Sequence, residues 1–273
     1  MSIANLKDVL LPAMNQGQAV LGLVVLGWED ARAFVEAAEE TNTPIILQAG
    51  PGCRAYTPLP VLGAMFRHLA DQARVPIVCH IDHATTMDEC LAGIEHGFSS
   101  VMIDGSRLGI SQNIELTQRV VAVAKPYGIS VEGEVGFVGY SSGEDGVFTD
   151  PADAQRFDRE SGADALAVSV GNVHLSTEKT SSINVEALRA IEAVTHLPLV
   201  LHGGSGIPLE IRQMLARDTR VSKFNIGTEL RMAFGKALRK SLVDQPDAFD
   251  RIKLLSQTIE ATRKATISLL RTS

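Results

Sequence analysis

The sequence predicts a single (β/α)8 barrel with extra helices at its N- and C-terminal ends. Eight short runs rich in β-forming residues recur along the chain, each followed by a helical pattern, and they are spaced by about 25–35 residues, the length of one βα unit. Runs such as P-I-I-L-Q and L-P-L-V-L-H are apolar at nearly every position, which indicates strands buried on both faces, as in a parallel sheet. No linker rich in Gly, Ser or Pro interrupts the series. We therefore expect one domain over residues 1–273 rather than an open doubly wound sheet.

The predicted strands and helix ends follow one another in order along the chain. The strands occupy segments 19–26, 44–48, 76–81, 99–104, 129–135, 164–170, 197–202 and 221–226. After the third strand, Thr86 and Glu89 have the spacing of a capping box, and Gly97 stands where the helix should end. Before the sixth strand, Asp150 and Pro151 supply an N-cap and a proline at the first helical position.

Two further helical segments flank the eight units. The N-terminal residues M-S-I-A-N-L-K-D-V-L-L include Asn, Lys and Asp, which is typical of an amphipathic helix and not of a signal peptide. We expect segment 6–14 to form a helix that plugs the bottom of the barrel. Segment 248–270 predicts extra helices after the last strand.

The composition is that of an ordinary globular protein and argues against several classes of partner. With a net charge of -7 and no run of Lys or Arg, a nucleic-acid partner is not expected. The apolar runs are far shorter than a membrane span, so no membrane partner is expected either. Cys53, Cys79 and Cys90 fit neither a thiolate metal site nor a disulfide framework, which favours a reducing cytoplasm. An anionic ligand would need a local source of positive potential, such as a metal, a helix N-terminus or a few arginines.

Polar residues gather where the predicted strands end, which is the active-site edge of such a barrel. The residues in question are His80, Asp82 and His83 on the third strand, Asp104 on the fourth, Glu132 and Glu134 on the fifth, His174 after the sixth and His202 on the seventh. Three imidazoles that converge at one barrel mouth (His83, His174 and His202) suit a catalytic Zn²⁺ with one open position. A hydrogen-bonded histidine cluster without metal is the alternative. His68, His96 and His196 lie in helical or loop contexts and are treated as surface residues.

Two small-residue turns and one acidic loop add to this edge. H-G-G-S-G and N-I-G-T follow the seventh and eighth strands, where barrels often bind a phosphate through backbone N–H groups and hydroxyls. Glu144 and Asp145 lie in the loop Y-S-S-G-E-D-G-V-F-T after the fifth strand. This loop is either a lid that carries an acid or base, or an ordinary solvated loop.

Five motifs in this order resemble the zinc-dependent class II fructose/tagatose-bisphosphate aldolases: H-I-D-H, S-S-V-M-I-D-G-S, V-E-G-E-V-G, L-V-L-H-G-G-S-G-I-P and F-N-I-G-T-E-L. The resemblance implies that His83, His174 and His202 bind one Zn²⁺ per subunit, with Asp104 and Glu134 as outer or alternative ligands. Asp82 would be the acid/base at the C4 hydroxyl, and His80 would support the site. Glu144 would handle the donor's carbon-bound proton. The implied substrate and phosphate contacts are Gly203, Gly204, Ser205, Asn225, Gly227 and Thr228, with Arg263 contributed from a neighbouring subunit. A monovalent cation is a further cofactor that the resemblance allows.

The activity that the resemblance implies is reversible aldol cleavage of a ketose (bis)phosphate to dihydroxyacetone phosphate and an aldehyde, through a metal-stabilised enediolate. The implied assembly is a homodimer or homotetramer. Two alternatives remain open: a non-catalytic companion subunit of a tagatose-bisphosphate aldolase, and a zinc barrel hydrolase. A companion need not keep the three histidines, and a hydrolase usually has an H-x-H pair on its first strand, which is absent here.

The chain departs from the family pattern at four positions. Val24 and Gly27 stand where the family has asparagines, Gly50 where it has a hydroxyl side chain, and Leu175 where a glycine follows the ligand histidine. Each change removes a polar contact or a close backbone approach. A hydrogen bond lost at a site built for it alters specificity strongly. We therefore expect the metal chemistry to be intact and ordinary fructose-bisphosphate specificity to be changed, with the favoured ketose phosphate and its C4 configuration left open.

Overall fold

Eight parallel strands form a closed barrel in the computed structural model, which describes residues 2–179 and 181–271. Each strand pairs with its neighbours along the chain, and the eighth pairs with the first. The strands are β1 (Val20–Val24), β2 (Ile45–Ala49), β3 (Ile77–Ala84), β4 (Ser100–Ile103), β5 (Ser130–Val135), β6 (Ala165–Val168), β7 (Leu199–Leu201) and β8 (Val221–Ile226). The predicted (β/α)8 barrel is confirmed, with each predicted strand at its expected place.

Helices surround the barrel, and one lies at each end of the chain. They are α1 (Leu6–Asn15), α2 (Trp28–Thr41), α3 (Pro51–Tyr56), α4 (Leu59–Gln72), α5 (Met87–Glu95), α6 (Ile110–Ala124), α7 (Pro151–Ser161), α8 (Val185–Glu192), α9 (Leu209–Asp218), α10 (Thr228–Asp244) and α11 (Arg251–Leu270). The predicted C-terminal extra helices form one helix, α11. The Asp250 side chain caps its start by accepting from Ile252 N and Lys253 N. Within the described residues, none of the helices has the length and apolar character needed to cross a membrane.

The bottom of the barrel is closed by α1, as its sequence predicts. Leu6, Val9 and Leu10 of this helix are buried in one apolar cluster with residues from the interior of the barrel. The interior members of that cluster are Val20, Ile46, Val78, Ala165, Ala167 and Val200. A short strand, Ile3–Ala4, precedes α1 and pairs with the start of β3. Because apolar side chains fill the lower half, polar side chains are left for the upper half.

The predicted helix ends are confirmed, with one change at α5. Gly97 adopts φ +87 after α5, a conformation that glycine takes at little cost. Asp150 caps α7, with Pro151 at its first position. At α5, the Thr86 hydroxyl accepts from Glu89 N at 3.3 Å, but the Glu89 carboxylate accepts from Thr85 N at 2.8 Å. The capping box is therefore only half formed.

A bulge in β3 prepares the functional edge of the barrel. The strand continues to Ala84, three residues past the predicted end, and its register with β4 shifts between Ile81 and Ala84. His83 has φ +52 within this bulge, which is unusual for a residue with a side chain. In a regular strand Asp82 and His83 would point to opposite faces. Here both line the same cavity.

Candidate active site

A cavity of about 220 Å³ opens at the carboxyl ends of the strands. The structure places most of the sequence-predicted site residues on its wall. Those that line it are Asp82, His83, His174, Gly203, Ser205, Asn225, Gly227 and Thr228. His202 and Glu134 are buried directly behind the wall.

The three predicted metal ligands meet at this cavity. The ring of His83 lies 4.5 Å from that of His202 and 5.3 Å from that of His174, and the rings of His174 and His202 are 5.6 Å apart. One nitrogen from each ring lies within 4.8 Å of the others. His83 Nε2 and His202 Nδ1 are buried and have no hydrogen-bond partner among the described residues. Unsatisfied buried nitrogens are rare, so this pair fits a bound cation.

Carboxylates hold two of these rings in the orientation that metal binding requires. His83 Nδ1 lies 2.7 Å from Asp104 Oδ2, and His202 Nε2 lies 3.2 Å from Glu132 Oε1. A carboxylate only accepts, so each of these nitrogens carries a proton, and the opposite nitrogen is the one that can bind a metal in exchange for any proton it holds. The nitrogens directed at a metal are therefore the two without a hydrogen-bond partner among the described residues.

The electrostatic field of the cluster favours a cation at His83. Burial opposes an imidazolium there, but Asp82, the hydrogen bond to Asp104, and Glu134 outweigh it and raise the pKa of His83 to about 10. Burial together with His202 and His83 lowers the pKa of His174 to about 3. The neutral His174 ring can donate its lone pair to a metal. The carboxylates that stabilise a proton on His83 would equally stabilise a divalent ion beside it.

Glu134 and Asp104 form a second possible ligand set with His83. One ligand atom from each of the three residues lies within 4.8 Å of the others. Glu134 Oε2 is buried without a hydrogen-bond partner among the described residues, 3.7 Å from His83 Nδ1 and 3.8 Å from His202 Nδ1. Burial and the nearby Asp104 carboxylate raise the pKa of Glu134 to about 8. This position is compatible with the predicted role of Asp104 and Glu134 as outer or alternative metal ligands.

Asp82 is fixed by two amides that bind only one of its oxygens. Gln48 Nε2 donates to Oδ1 at 2.9 Å, and Asn225 Nδ2 donates to the same atom at 3.2 Å. Oδ2 faces the side of Gly50, whose added Cβ would lie 3.5 Å away. The Arg54 guanidinium donates to the carbonyl oxygens of Asp82 and His83, which ties the bulge in place. One oxygen of Asp82 is thus anchored while the other remains available to a ligand.

A buried ion pair lies beneath the histidines, and the sequence reasoning missed it. Lys223 Nζ is 2.6 Å from Glu132 Oε2, and both side chains are fully buried. His80 Nε2 lies 3.8 Å from the same carboxylate, and its Nδ1 is 2.8 Å from Ser100 Oγ. His80 therefore lies below the cavity, which is compatible with the predicted role of supporting the site. The period of two in V-S-K-F-N-I, which puts Lys223 on the face of Asn225, was the signal that could have revealed the lysine.

The two small-residue turns meet at the N-terminus of α10. Ser205 Oγ accepts from Gly227 N at 3.2 Å and from Glu229 N at 3.4 Å. Gly203 has φ +66, and a Cβ there would lie 2.1 Å from Val173 O, so only glycine fits. Thr228 begins the helix and lines the cavity beside Ser205. These groups form a cradle of backbone N–H groups and hydroxyls suited to an anion.

Glu144 and Arg263 do not line the cavity. Glu144 forms an exposed ion pair with Arg107 at 2.5 Å, on the loop after β5. Arg263, on α11, is paired with Glu260 and Glu40 on the surface. The roles given to Glu144 and Arg263 stay predictions, since one would need a loop movement and the other a second subunit.

Tyr140 and Arg231 are polar cavity residues that the sequence reasoning did not identify. Tyr140 stacks on the ring of His174 at 4.9 Å and lines the cavity. Arg231, the fourth residue of α10, also lines it. Of the departures from the family pattern, Val24, Gly50 and Leu175 line the cavity, whereas Gly27 is the N-cap of α2 and does not line it.

Comparison with known proteins gives a consistent result. Residues 4–272 match the family model described as fructose-bisphosphate aldolase class-II. The chain is 33% identical to the fructose-bisphosphate aldolase of Geobacillus stearothermophilus, over 99% of this chain and 96% of that protein. It is 34% identical to the 6-phospho-5-dehydro-2-deoxy-D-gluconate aldolase of Bacillus licheniformis, over 97% of this chain and 92% of that protein. Among solved structures, the YdjI aldolase of Escherichia coli K12 superposes with a TM-score of 0.84 at 28% identity, covering 99% of this chain and 96% of that one.

Proposed function

The chain belongs to the class II fructose-bisphosphate aldolase family, and on that premise we propose that it cleaves a ketose phosphate reversibly to dihydroxyacetone phosphate and an aldehyde. As a member it is an aldehyde-lyase that acts on a sugar phosphate by aldol cleavage, in a family that is generally zinc-dependent. We assign one Zn²⁺ per subunit to His83, His174 and His202.

The observation that carries the assignment is the pair of buried nitrogens without partners, His83 Nε2 and His202 Nδ1, beside His174. A non-catalytic companion subunit would have no need to keep this set, nor the carboxylates that orient it. Zinc bound there would supply a Lewis acid for the carbonyl of the ketose.

Asp82 is the group that we place at the C4 hydroxyl. Its Oδ1 is held by Gln48 and Asn225, so Oδ2 takes the hydroxyl proton as the C3–C4 bond breaks and returns it in the reverse reaction. Because one oxygen of Asp82 is fixed, the other is held in a defined position. This reduces the entropy that is lost when the base and the substrate are oriented for the reaction.

The donor half of the substrate fits the cradle at α10. Its phosphate would receive hydrogen bonds from the backbone of Gly203 and Gly204 and from the hydroxyls of Ser205 and Thr228. It would lie at the N-terminus of α10 beside Gly227, whose N–H positions Ser205 by donating to its Oγ. Asn225 Oδ1 is buried without a partner among the described residues and is available to the donor half. Glu144 would exchange the carbon-bound proton of the donor after the loop moves inward.

The tail of the substrate is where we expect this protein to differ from a fructose-bisphosphate aldolase. Val24 is apolar, and Gly50 leaves open space beside Asp82. Leu175 keeps φ +58 and is 47% exposed at the cavity. The names of the two relatives, one a bisphosphate aldolase and one a phosphodeoxygluconate aldolase, differ in the substrate tail. We propose that fructose 1,6-bisphosphate is cleaved with a lower kcat/KM than another ketose phosphate.

We also propose a single domain, a homodimer or homotetramer, and a cytoplasmic location. Exposed apolar side chains on and between α10 and α11 support self-association: Met232, Leu242, Val243, Phe249 and Ile252. The three cysteines are free and buried, which fits a reducing compartment.

The test combines metal analysis with a substrate screen. His83→Ala, His174→Ala and His202→Ala should each lose zinc and activity while retaining a folded barrel. His196→Ala, at an exposed histidine, serves as the matched control. Stoichiometric zinc in all three variants would refute the ligand assignment. A screen of ketose mono- and bisphosphates, including tagatose and fructose bisphosphates, with detection of dihydroxyacetone phosphate then compares kcat/KM. Fructose 1,6-bisphosphate as best substrate by a wide margin would refute the specificity proposal.

A further inference from the structure

His174 differs from the other two proposed zinc ligands in what orients its ring. A carboxylate lies beside one ring nitrogen of His83 and of His202, at 2.7 Å and 3.2 Å. Among the described residues, no hydrogen bond to the ring of His174 is found. A metal-binding histidine almost always donates its second N–H to an acceptor that fixes the ring. The orientation of His174 must therefore come from another kind of contact.

The ring of Tyr140 makes that contact. It stacks on the imidazole of His174 with 4.9 Å between the ring centres and 28° between the planes. Both residues line the cavity. A ring stacked on one face of the imidazole restricts its rotation. The face of an aromatic ring also attracts positive charge, so the stack favours an imidazole that binds a cation.

The aromatic face of Tyr140, and not its hydroxyl, holds it in this place. No hydrogen bond of the hydroxyl is found among the described residues. Behind Tyr140 lies the ring of Phe137, at 6.4 Å between centres, and the guanidinium of Arg107 lies 3.9 Å from the centre of the Phe137 ring. Tyr140 is thus supported on one side by Phe137 while it contacts His174 on the other.

The backbone beside Tyr140 is also bonded to the backbone beside His174. Residues 139–140 pair in parallel with residues 173–174. Ser141 N donates to His174 O at 3.0 Å, and Ser141 Oγ donates to Leu175 O at 3.0 Å. Leu175 has φ +58, a conformation that a residue with a side chain seldom adopts without support. Segment 137–144 therefore holds the ligand through its backbone as well as through its ring.

The same segment contains Glu144, for which a proton-transfer role is proposed above. Tyr140 N donates to Glu144 O at 2.8 Å, and Gly143 N donates to Tyr140 O at 3.1 Å. These two bonds close a tight turn between Tyr140 and Glu144. The turn is therefore built on the residue that contacts His174.

We propose that Tyr140 is a positioning residue for His174, and that zinc affinity depends on the packing of segment 137–144 against this ligand. The aromatic ring does for His174 what Asp104 and Glu132 do for the other two histidines. Bound zinc in turn stabilises the segment, because it fixes the ring on which Tyr140 stacks. This inference rests on the zinc site proposed above and adds a residue outside its ligand set.

The first test measures zinc affinity by titration of the metal-free protein against a competitive chelator. Tyr140→Leu should bind zinc about 10- to 100-fold more weakly, the usual effect of losing a group that orients a metal ligand. Tyr140→Phe keeps the ring and should bind zinc as the wild type does. Tyr127→Leu, at an exposed tyrosine that does not line the cavity, is the control and should also leave the affinity unchanged.

Two further readouts separate positioning from a general loss of stability. Co²⁺ in place of Zn²⁺ has a visible absorption spectrum that depends on the number and geometry of its ligands. Tyr140→Leu should change that spectrum at saturating metal, whereas Tyr140→Phe should not. Hydrogen exchange of the Ser141 amide, which donates to His174 O, should be slowed by zinc in the wild type and much less in Tyr140→Leu.

Three results would overturn the proposal: a zinc affinity of Tyr140→Leu within about twofold of the wild type, an unchanged Co²⁺ spectrum in that variant, or a Tyr140→Phe variant as weak as Tyr140→Leu. If Tyr140→Leu does not fold, Tyr140→Met takes its place in the same comparison. A wild-type protein that binds no zinc would refute the proposed zinc site itself. Tight zinc binding that Tyr140→Leu leaves unchanged would refute the role of Tyr140 alone.

Discussion

Lys223→Met should destabilise the protein strongly, although Lys223 does not reach the cavity. Lys223 and Glu132 form a fully buried ion pair at 2.6 Å. With an effective dielectric constant of about 20, their attraction at that distance is roughly 6 kcal/mol before the cost of desolvation. Removing only the lysine leaves the Glu132 carboxylate charged and buried, which should cost about 3–5 kcal/mol of unfolding free energy.

A double variant separates the charge effect from the packing effect. Lys223→Met with Glu132→Gln removes both charges, so its stability should return to within about 2 kcal/mol of the wild type. It should still bind zinc about 10- to 100-fold more weakly, because Glu132 accepts from His202 Nε2 at 3.2 Å and orients that ring.

Urea unfolding of the metal-free proteins measures the first effect, since bound zinc would add its own stabilisation. A competitive chelator titration measures the second. Lys240→Met is the control, because Lys240 and Asp244 are 2.5 Å apart but exposed, and losing such a pair should cost less than about 1 kcal/mol. If Lys223→Met costs no more than Lys240→Met, or the double variant is as unstable as the single one, the reasoning about a buried pair is refuted.

Three further predictions concern the proposed chemistry. Asp82→Asn should keep zinc but lower kcat by about 10²–10⁴, while sparing exchange of the donor's carbon-bound proton; equal losses would reassign Asp82 to substrate positioning. Glu144→Gln should slow that exchange, with the exposed neighbour Asp145→Asn as control; identical behaviour of the two variants would remove Glu144 from the mechanism. The pKa of His174 is lowered from 6.5 to about 3. Between these two pH values, the unfolded chain therefore binds a proton at His174 that the folded metal-free protein does not bind. The contribution of His174 to stability should therefore fall as pH drops from 6.5 to 3, by on the order of 5 kcal/mol. In urea titrations His174→Gln should show a shallower dependence of stability on pH; an unchanged slope would contradict this.

The fold could be predicted because its signals are local and repeated. Each strand is a short apolar run, and each βα unit repeats the same alternation, so an error in one unit does not alter the topology. The end of β3 was predicted wrongly because a bulge depends on pairing with β4, which no local pattern encodes. The same bulge brings His83 to the cavity beside Asp82. The strand end that was predicted wrongly therefore lies at the candidate active site.

Site residues could be predicted where their type is unusual for a buried strand. They could not be predicted where the same residue type is common on protein surfaces. A histidine at the end of an apolar strand is conspicuous, and His83, His174 and His202 do meet. Arg231 lies on an amphipathic helix, where an arginine normally faces solvent. Only the three-dimensional structure shows that its Nε is buried without a hydrogen-bond partner among the described residues and that the residue lines the cavity.

The charges around the histidines indicate why a chain of net charge -7 can accept a phosphorylated substrate. Asp82, Asp104 and Glu134 surround His83 and raise its pKa to about 10, so this side of the cavity favours positive charge. A divalent ion in the same place would offset two of those carboxylates and leave the cradle at α10 as the electropositive end of the cavity. Arg231 Nη2, 3.7 Å from a Cβ built at Gly227, adds a guanidinium beside this cradle. The cavity then combines positive potential at α10 with a carboxylate, Asp82, that can accept a proton. This arrangement fits a phosphorylated substrate that gives up a proton away from its phosphate.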